Sequence, residues 1–483
     1  MLTGPNRPNR GIIPNPQVRG MNTPRDLAPA LLEELENLLG ERVTTFRGVR
    51  EHHGKDESYY PYALPDAVVF PHSTGEVRDV VNICRLHKTP IIPFGVGTSL
   101  EGHVLAIHGG VCVDLSQMNR IVAVREADLD CTVQAGVTRK QLNEHIRHSG
   151  LMFPIDPGAD ATLGGMAATR ASGTNAVRYG TMRENVISLT VVLADGRIIK
   201  TSRRSRKSSA GYDLTRMFVG SEGTLGIITE VTVRLYAIPE AMSAATCSFK
   251  DITGAVDTVI QTLQSGIPIA RSEALCATTM RAINAYSKTG YSEQPTLFLE
   301  FHGTQASVEE QARLVQEIAR SNGGMEFQWT TKAEERNKLW QARHDAYFAC
   351  LQLRAGTRCV STDVCVPISR LTECILDTTR DIDRASMPIP LFGHVGDGNF
   401  HCVVLVRPDN QADLAEAKAF NERVVHRALD MEGTCTGEHG VGFGKMKWLS
   451  KEHGEALDLM RAIKRAFDPE NLMNPGKIVS LEA

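Results

Sequence analysis

The chain has 483 residues, of which 42% are hydrophobic and 23% charged, and its formal net charge is −3. This length exceeds what one hydrophobic core usually serves and predicts two or three domains, while the near-neutral charge disfavours a general nucleic-acid binder. The eleven cysteines include no CxxC pair, which argues against a disulfide framework and against iron–sulfur clusters and favours a reducing compartment.

The first fifty residues are predicted to form an irregular extension followed by one helix. Residues 1–24 are rich in proline, asparagine and glycine and lack the apolar run of a secretory signal. Leucines recur at helical spacing over residues 26–39, and Gly40 ends the pattern. No stretch approaches the roughly 18 consecutive apolar residues of a membrane span. We therefore expect a cytoplasmic protein, with peripheral contact to the inner membrane left open.

Short β runs alternate with helices between residues 51 and 240, and three segments there are dense in glycine and small residues. Residues 67–70 and 90–94 have the pattern of strands, and residues 74–87 that of a helix. The glycine-dense segments span residues 95–102, 156–180 and 220–230, each beside a β run.

Such segments let backbone amides approach a ligand closely. The first of them, GVGTSLEG, lacks the Gly-Lys-Ser/Thr of a P-loop. It also departs from the GxGxxG fingerprint, so a nicotinamide cofactor is disfavoured. One such segment could be an ordinary strand-to-helix turn. Three of them predict contact along the length of an extended ligand. Ordering so many glycines costs conformational entropy on folding, and turns alone would not offset that cost.

Residues 393–401, GHVGDGNFH, predict a β-hairpin that brings two histidines together. A two-residue turn at Asp397 and Gly398 would place His394 opposite His401, with Cβ atoms about 5 Å apart. Both imidazoles could then bind one divalent ion. Glu438, in GEHGVG at 437–442, could complete a two-histidine, one-carboxylate site with His439 free beside the metal. The alternative is a turn with two hydrogen-bonded histidines.

Together these motifs resemble those of flavoproteins of vanillyl-alcohol-oxidase type. PFGVGTSLEG, DPGADATLGG, SGTNAVRYG and GSEGTLGIITEVTVRL are similar to their FAD-binding domain. GHVGDGNFH, GEHGVG and FDPENLMNPGK narrow the resemblance to the family of FAD-linked, cytochrome-type D-lactate dehydrogenases and glycolate oxidase catalytic subunits. The similar region covers roughly residues 50–480.

The fold class implied by this resemblance is α+β. It comprises a two-subdomain FAD-binding domain of vanillyl-alcohol-oxidase type, an α+β cap domain that binds substrate, and a C-terminal helical segment. The implied boundaries are 51–240 for the FAD-binding domain and 241–430 for the cap. Residues 431–483 would complete the active site and pack on the FAD-binding domain, and residues 1–50 would form the N-terminal extension and helix.

The resemblance further implies that FAD binds without a covalent bond, through the three glycine-dense segments and one asparagine near the C-terminus. The implied FAD-binding residues are Pro93, Gly95, Gly97, Thr98, Ser99, Leu100, Pro157, Gly158, Thr162, Gly164, Gly165, Ser172, Gly173, Tyr179, Gly180, Gly223, Gly226, Ile228 and Asn474.

Family analogy also assigns catalytic roles. His394, His401 and Glu438 would bind a divalent metal, with zinc favoured over manganese or iron. His439 would be the general base, since an imidazole with a pKa near 6.5 suits acceptance of a hydroxyl proton. Arg343 would bind the substrate carboxylate with its planar fork; the alternative for Arg343 is a salt bridge on a helix surface.

The implied reaction is oxidation of a D-2-hydroxy acid, foremost D-lactate to pyruvate, by hydride transfer to flavin N5. Ser361 and Thr362 stand where D-2-hydroxyglutarate dehydrogenases carry a lysine just before the residue matching Asp363, which disfavours a dicarboxylate. Open alternatives are a glycolate oxidase FAD subunit, a dehydrogenase of another D-2-hydroxy acid and, more remotely, a metal-dependent hydrolase. The sequence has no internal exit for electrons. We therefore expect an external acceptor, such as cytochrome c, a quinone or an electron-transferring flavoprotein, and a homodimer is allowed.

Overall fold

The computed structural model describes residues 27–481, which contain three sheets of four or more strands. Two of these sheets are built from residues 43–234, and the third from residues 241–406. The irregular segment predicted for residues 1–24 lies outside the described residues. The division of the chain into domains at residues 240 and 430 stays a prediction.

The first half of the described chain alternates short strands and helices. Its strands are β1 (Val43–Thr44), β2 (Ala67–Val69), β3 (Ile91–Phe94), β4 (Val111–Asp114), β5 (Ile121–Arg125), β6 (Asp130–Gln134), β7 (Leu151–Met152), β8 (Val186–Val192), β9 (Ile198–Lys200), β10 (Ile227–Arg234) and β11 (Tyr236–Ala237). Its helices are α1 (Pro29–Leu39), α2 (Arg47–His53), α3 (Thr74–Leu86), α4 (Arg139–Ile146), α5 (Leu163–Thr169), α6 (Ala176–Tyr179), α7 (Met182–Asn185) and α8 (Leu214–Phe218).

Nine of these strands form two sheets whose edges meet the glycine-dense segments, and β7 pairs with β11 in a separate two-stranded sheet. The first sheet has the order β1-β2-β4-β3, in which β2, β4 and β3 are parallel and buried. The second is antiparallel, with the order β5-β6-β10-β8-β9. Residues 95–102 follow β3, and residues 220–226 lead directly into β10. The ends of the sheets thus bring these two segments to one place.

The second half forms one large sheet with helices around it. Its strands are β12 (Ala241–Phe249), β13 (Ile269–Leu275), β14 (Thr296–Gly303), β15 (Gly324–Thr330), β16 (Arg358–Ser361), β17 (Val364–Cys365), β18 (Leu391–Gly393) and β19 (Asn399–Val406). Its helices are α9 (Ile252–Gln264), α10 (Ala277–Ser287), α11 (Gln305–Ser321), α12 (Ala333–His344), α13 (Ala346–Leu351), α14 (Leu371–Ile382), α15 (Gln411–Asp430), α16 (Leu449–His453) and α17 (Ala456–Phe467). The strand order is β15-β12-β14-β13-β18-β19-β16, and β17 also pairs with β19.

Helices cover both faces of the large sheet, because its strands bury side chains alternately on each side. On β14, Leu297 and Leu299 pack with residues of α9 and α11, whereas Phe298 packs with α10, α12 and α13. Glu273 of β13 pairs with Phe298 across the ladder and therefore lies on this second face. The polar groups of the candidate site collect there.

The predicted register of the histidine hairpin is wrong by two residues. Phe392 rather than His394 pairs with His401, and the backbone amide of Asn399 donates to the carbonyl of His394 over 3.3 Å. The loop is therefore longer than two residues. A Cβ at Gly398 would lie 2.2 Å from the carbonyl oxygen of Val366. This glycine therefore permits the close approach of the residue that follows β17. His394 and His401 still share one face, as diagonal neighbours.

The C-terminal segment is fastened to the first half of the chain through a buried ion pair on α17. Lys464 donates to the carbonyl oxygens of Thr224 and Met473, both over 2.8 Å, and pairs with Asp468. Asp468 also accepts from the amides of Leu472 and Met473. These contacts hold the chain that leads to Asn474.

Replacing Asp468 with alanine is expected to lower the free energy of unfolding by about 3–5 kcal/mol, because Lys464 would keep a buried, uncompensated charge. Burial already lowers the pKa of Lys464. The matched control is Asp458→Ala on the same helix, whose partner Arg461 forms an exposed ion pair with an expected contribution of about 0.2–1 kcal/mol. Urea unfolding of both variants measures the difference; equal losses would contradict the structural role of Asp468.

Candidate active site

Two histidines and one carboxylate converge on the second face of the large sheet. His394 Nε2 lies 3.4 Å and His401 Nε2 lies 3.2 Å from Glu438 Oε1. One potential ligand atom from each residue lies within 4.8 Å of the other two. The structure thus brings together the three ligands that the sequence predicted, although the hairpin has a different register.

Nδ1 of each histidine is hydrogen-bonded to a group from a neighbouring segment of the chain. Continuing the ladder between β13 and β18 places His394 opposite Glu273, and His394 Nδ1 donates to Glu273 Oε1 over 2.6 Å. His401 Nδ1 donates to the carbonyl oxygen of Thr362 over 3.2 Å. Both contacts engage Nδ1 and leave Nε2 of each ring facing Glu438, the position at which a metal ion would bind in place of a proton.

The residues fit a divalent metal ion. His401 Nε2 is buried and finds no hydrogen-bond partner in the described part of the chain. Burial disfavours a charge on His394, yet the carboxylates of Glu273 and Glu438 raise its pKa well above the usual value. For Glu438, burial opposes ionisation, but His394 and His401 lower its pKa well below its usual range. Two imidazole nitrogens and an ionised carboxylate are a donor set that suits a first-row divalent ion.

His439 stacks on His401, with ring centroids 4.9 Å apart and an interplanar angle of 7°. Its Nε2 lies 3.9 Å from Glu438 Oε1. Burial, only partly offset by the carboxylate of Asp363, lowers the pKa of His439 to about 4. The side chain is therefore neutral near pH 7, which is the state in which an imidazole can accept a proton.

Arg343 lies in the wall of the same cavity, and its guanidinium is already engaged on one side. Nε and Nη2 donate to Glu273 Oε2 over 3.0 and 2.6 Å, and the group stacks over the ring of Phe392. Neither hydrogen bond uses Nη1. The salt bridge considered as an alternative thus exists, but it is buried rather than exposed, and it joins Arg343 to the partner of His394.

A cavity of about 450 Å³ extends from these side chains along the glycine-dense segments. The segments approach one another closely: a Cβ at Gly95 would lie 2.5 Å from Thr162 Oγ1, and one at Gly223 would lie 2.9 Å from Pro93. These contacts explain why small residues recur here. Most predicted FAD-binding residues line the cavity: Pro93, Gly95, Gly97, Thr98, Ser99, Leu100, Pro157, Gly158, Thr162, Gly164, Gly165, Ser172, Gly173, Gly223, Gly226, Ile228 and Asn474.

Two predicted FAD-binding residues, Tyr179 and Gly180, lie outside the cavity wall. The hydroxyl of Tyr179 is hydrogen-bonded to Nδ1 of His302 over 2.8 Å, and its ring packs edge-on against Tyr236. Gly180 has a φ of 75° and ends α6, where a Cβ would meet Glu184 at 2.9 Å. Both residues shape the turn after the small-residue segment, and their contact with FAD stays a prediction.

The loop that carries Glu438 and His439 is held by acids that the sequence analysis missed. The carboxylate of Glu222 accepts from the amides of Val441 and Gly442 over 2.7 and 2.8 Å. The backbone carbonyl of Glu101 accepts from the amides of residues 443 and 444, and its carboxylate lies 3.4 Å from Nζ of Lys445. Glu273 was missed in the same way. The one signal available was a lone acid within an otherwise apolar or glycine-rich run.

Comparison with known proteins identifies two family regions in the chain. Residues 65–202 match the model described as "FAD binding domain". Residues 238–478 match the model described as "FAD linked oxidases, C-terminal domain".

Curated relatives match over most of their length. The chain is 53% identical over 445 residues to the probable mitochondrial D-lactate dehydrogenase of Danio rerio, covering 91% of this chain and 90% of that protein. It is 46% identical to the mitochondrial D-lactate dehydrogenase [cytochrome] of Arabidopsis thaliana, covering 93% and 80%. The solved structure of p-cresol methylhydroxylase with substrate bound has a TM-score of 0.77 at 19% identity, covering 94% and 97%. This last likeness confirms the predicted fold class.

Proposed function

The chain belongs to the family of FAD-linked, cytochrome-type D-lactate dehydrogenases and is an FAD-linked oxidoreductase, and from that premise we propose that it oxidises D-lactate to pyruvate with a divalent metal ion bound by His394, His401 and Glu438. The observation that carries this proposal is the buried Nε2 of His401, which makes no hydrogen bond and lies 3.2 Å from Glu438 beside a neutral His439.

The side chains of this site divide the work on a 2-hydroxy acid. His439 Nε2 accepts the hydroxyl proton, because burial keeps the imidazole neutral. Arg343 Nη1 orients the substrate carboxylate, since Glu273 already fixes the other two nitrogens. When bound, FAD supplies the two-electron acceptor for the hydride, and a divalent ion acts as a Lewis acid that makes the hydroxyl more acidic.

We infer that the substrate is small. Ser361 lines the cavity on the same face as the histidines, and Thr362 turns its hydroxyl toward the backbone amide of Cys402 over 2.9 Å. Phe392 and Tyr347 also line the cavity. Among these residues none offers a cation for a second carboxylate. This wall supports D-lactate over a dicarboxylate such as D-2-hydroxyglutarate.

Electrons leave the reduced flavin for an external acceptor, and cytochrome c, a quinone or an electron-transferring flavoprotein would each serve. Among residues 27–481 no helix is long and apolar enough to cross a bilayer. The cytoplasmic location stays a prediction. The two curated relatives are named as mitochondrial proteins. A homodimer also stays a prediction.

Anaerobic addition of D-lactate to the purified, FAD-loaded protein is expected to bleach the flavin bands, whereas L-lactate at the same concentration leaves them unchanged. The physical reason is that Arg343 and His439 fix two points of the substrate, so only one enantiomer directs its C–H bond at the flavin. Stopped-flow absorbance measures both rates. Reduction by glycolate but not by either lactate would favour the glycolate oxidase alternative, and flavin unmoved by any 2-hydroxy acid would overturn the proposal.

A further inference from the structure

We propose that Asp363 is a positioning residue that holds the metal-binding hairpin and the loop carrying the proton acceptor in one fixed arrangement. This inference rests on the proposed function of His394, His401, Glu438 and His439. Asp363 is fully buried and connects two elements that come from distant parts of the chain. It acts through these neighbours, without being part of the cavity wall.

One carboxylate oxygen of Asp363 organises the catalytic loop. Oδ2 accepts from the backbone amide of Glu438 over 3.0 Å and from that of His439 over 2.8 Å. It also accepts from the hydroxyl of Thr436 over 2.7 Å. The two residues that bind the metal and accept the proton are therefore anchored by their own backbone to a single atom.

The other oxygen reaches the hairpin. The ladders on either side of Asp363 share one register, since Ser361 pairs with Val403 and Val364 pairs with Phe400, and this register puts Asp363 opposite His401. Oδ1 accepts from Asn399 Nδ2 over 2.8 Å and lies 3.7 Å from His401 Nδ1. The same side chain thus sets the positions of His401 and His439, whose rings stack.

The hydrogen-bond partners of this carboxylate are all donors among the described residues. Besides the amides and the hydroxyl, Lys445 Nζ lies 3.4 Å from Oδ2 and donates to the backbone carbonyl of Asp363 over 3.0 Å. Lys445 is 1% exposed, so its charge needs a buried partner. An ionised carboxylate only accepts hydrogen bonds, whereas an amide would turn an NH₂ group toward one set of these donors. The site therefore requires Asp and tolerates Asn poorly.

The experiment compares Asp363→Asn with Asp377→Asn, which changes an acid on α14 in the exposed ion pair with Arg380. Support for a metal site by outer contacts is worth roughly 10–100-fold in affinity or activity. In Asp363→Asn we expect Mn²⁺ to bind roughly 10–100-fold more weakly than in wild type. Electron paramagnetic resonance of the ion measures this binding. At saturating Mn²⁺ and D-lactate, the flavin of Asp363→Asn should still be reduced at least tenfold more slowly than that of wild type, with the same FAD content. Asp377→Asn should match wild type in both.

A loss of fold alone would lower the yield of FAD-loaded protein and leave Mn²⁺ affinity of the loaded fraction unchanged, which would overturn the inference. His401→Ala separates this result from failure of the proposed function. If His401→Ala loses Mn²⁺ while Asp363→Asn binds and reduces like wild type, only the role of Asp363 is wrong; if both bind Mn²⁺ like wild type, the metal site itself is wrong. Should Asp363→Asn not retain FAD, Thr436→Val removes one donor to Oδ2, and wild-type behaviour of that variant would overturn the inference.

Discussion

Replacing His439 with alanine is expected to slow reduction of the bound flavin by D-lactate by about 10²–10⁴-fold, the usual contribution of a positioned general base. His439 Nε2 lies 3.9 Å from Glu438 Oε1, and burial lowers the pKa of His439 to about 4, so its imidazole is neutral near pH 7. Its loss leaves bulk water as the proton acceptor. The rate is measured by anaerobic stopped-flow absorbance at saturating D-lactate.

Two observations separate this chemical role from damage to the cofactor site. The visible spectrum should show the same flavin content as wild type, and dithionite should reduce that flavin normally. His439→Gln, which refills the volume, should be equally slow. His148→Ala removes an exposed histidine next to Arg147 and should reduce at the wild-type rate. Reduction of His439→Ala within threefold of wild type would remove His439 from the mechanism.

Removing the metal is expected to have an effect of similar size. A divalent Lewis acid contributes several kcal/mol to the transition state, and about 4 kcal/mol corresponds to roughly a thousandfold in rate. Dialysis against a chelator should therefore lower the rate at which D-lactate reduces the flavin by roughly a thousandfold. The protein should stay folded and keep its yellow flavin. Added Zn²⁺ or Mn²⁺ should restore it, and metal analysis should give one ion per chain.

The matched variant is His401→Ala, because His401 Nε2 is buried, makes no hydrogen bond and lies 3.2 Å from Glu438. This variant should resemble the chelated enzyme and should not recover on addition of metal. His453→Ala, a partly exposed histidine on α16, serves as control. Full activity in a chelated, metal-free enzyme would leave His394, His401 and Glu438 as a hydrogen-bonded cluster without a metal, the alternative that the sequence left open.

Much of this arrangement could be predicted from local patterns. Glycine-dense segments such as GVGTSLEG signal close backbone approach wherever they occur, and GHVGDGNFH places two histidines within a few residues of a turn. The fold class followed from resemblance over most of the chain, and the solved structure of p-cresol methylhydroxylase confirms it. These features depend on contacts between residues close in sequence or on motifs that recur in a family.

The features that the sequence did not predict depend on contacts between distant segments. The hairpin register differs from the predicted one, and its Gly398 lies close to the carbonyl of Val366, 32 residues earlier, a contact that the local pattern does not show. Glu273 lies on β13 and Asp363 lies between β16 and β17, both far from the hairpin in sequence. Only the strand ladders show that they lie opposite His394 and His401. Tyr179 sits in a motif of the right composition, but its hydroxyl turns to His302.

The loop of residues 436–445 is bound at once by Asp363 from the large sheet and by Glu222 and Glu101 from the glycine-dense segments. The catalytic centre is therefore not a module that either half of the chain could carry into a new context. In recombination between relatives, a crossover near residue 240 would exchange substrate preference cleanly only if the loop and all three acids came from compatible parents. Glu222 is far from the loop in sequence, but its carboxylate binds the loop's amides. We therefore expect substitutions at Glu222 and in the loop to depend on one another.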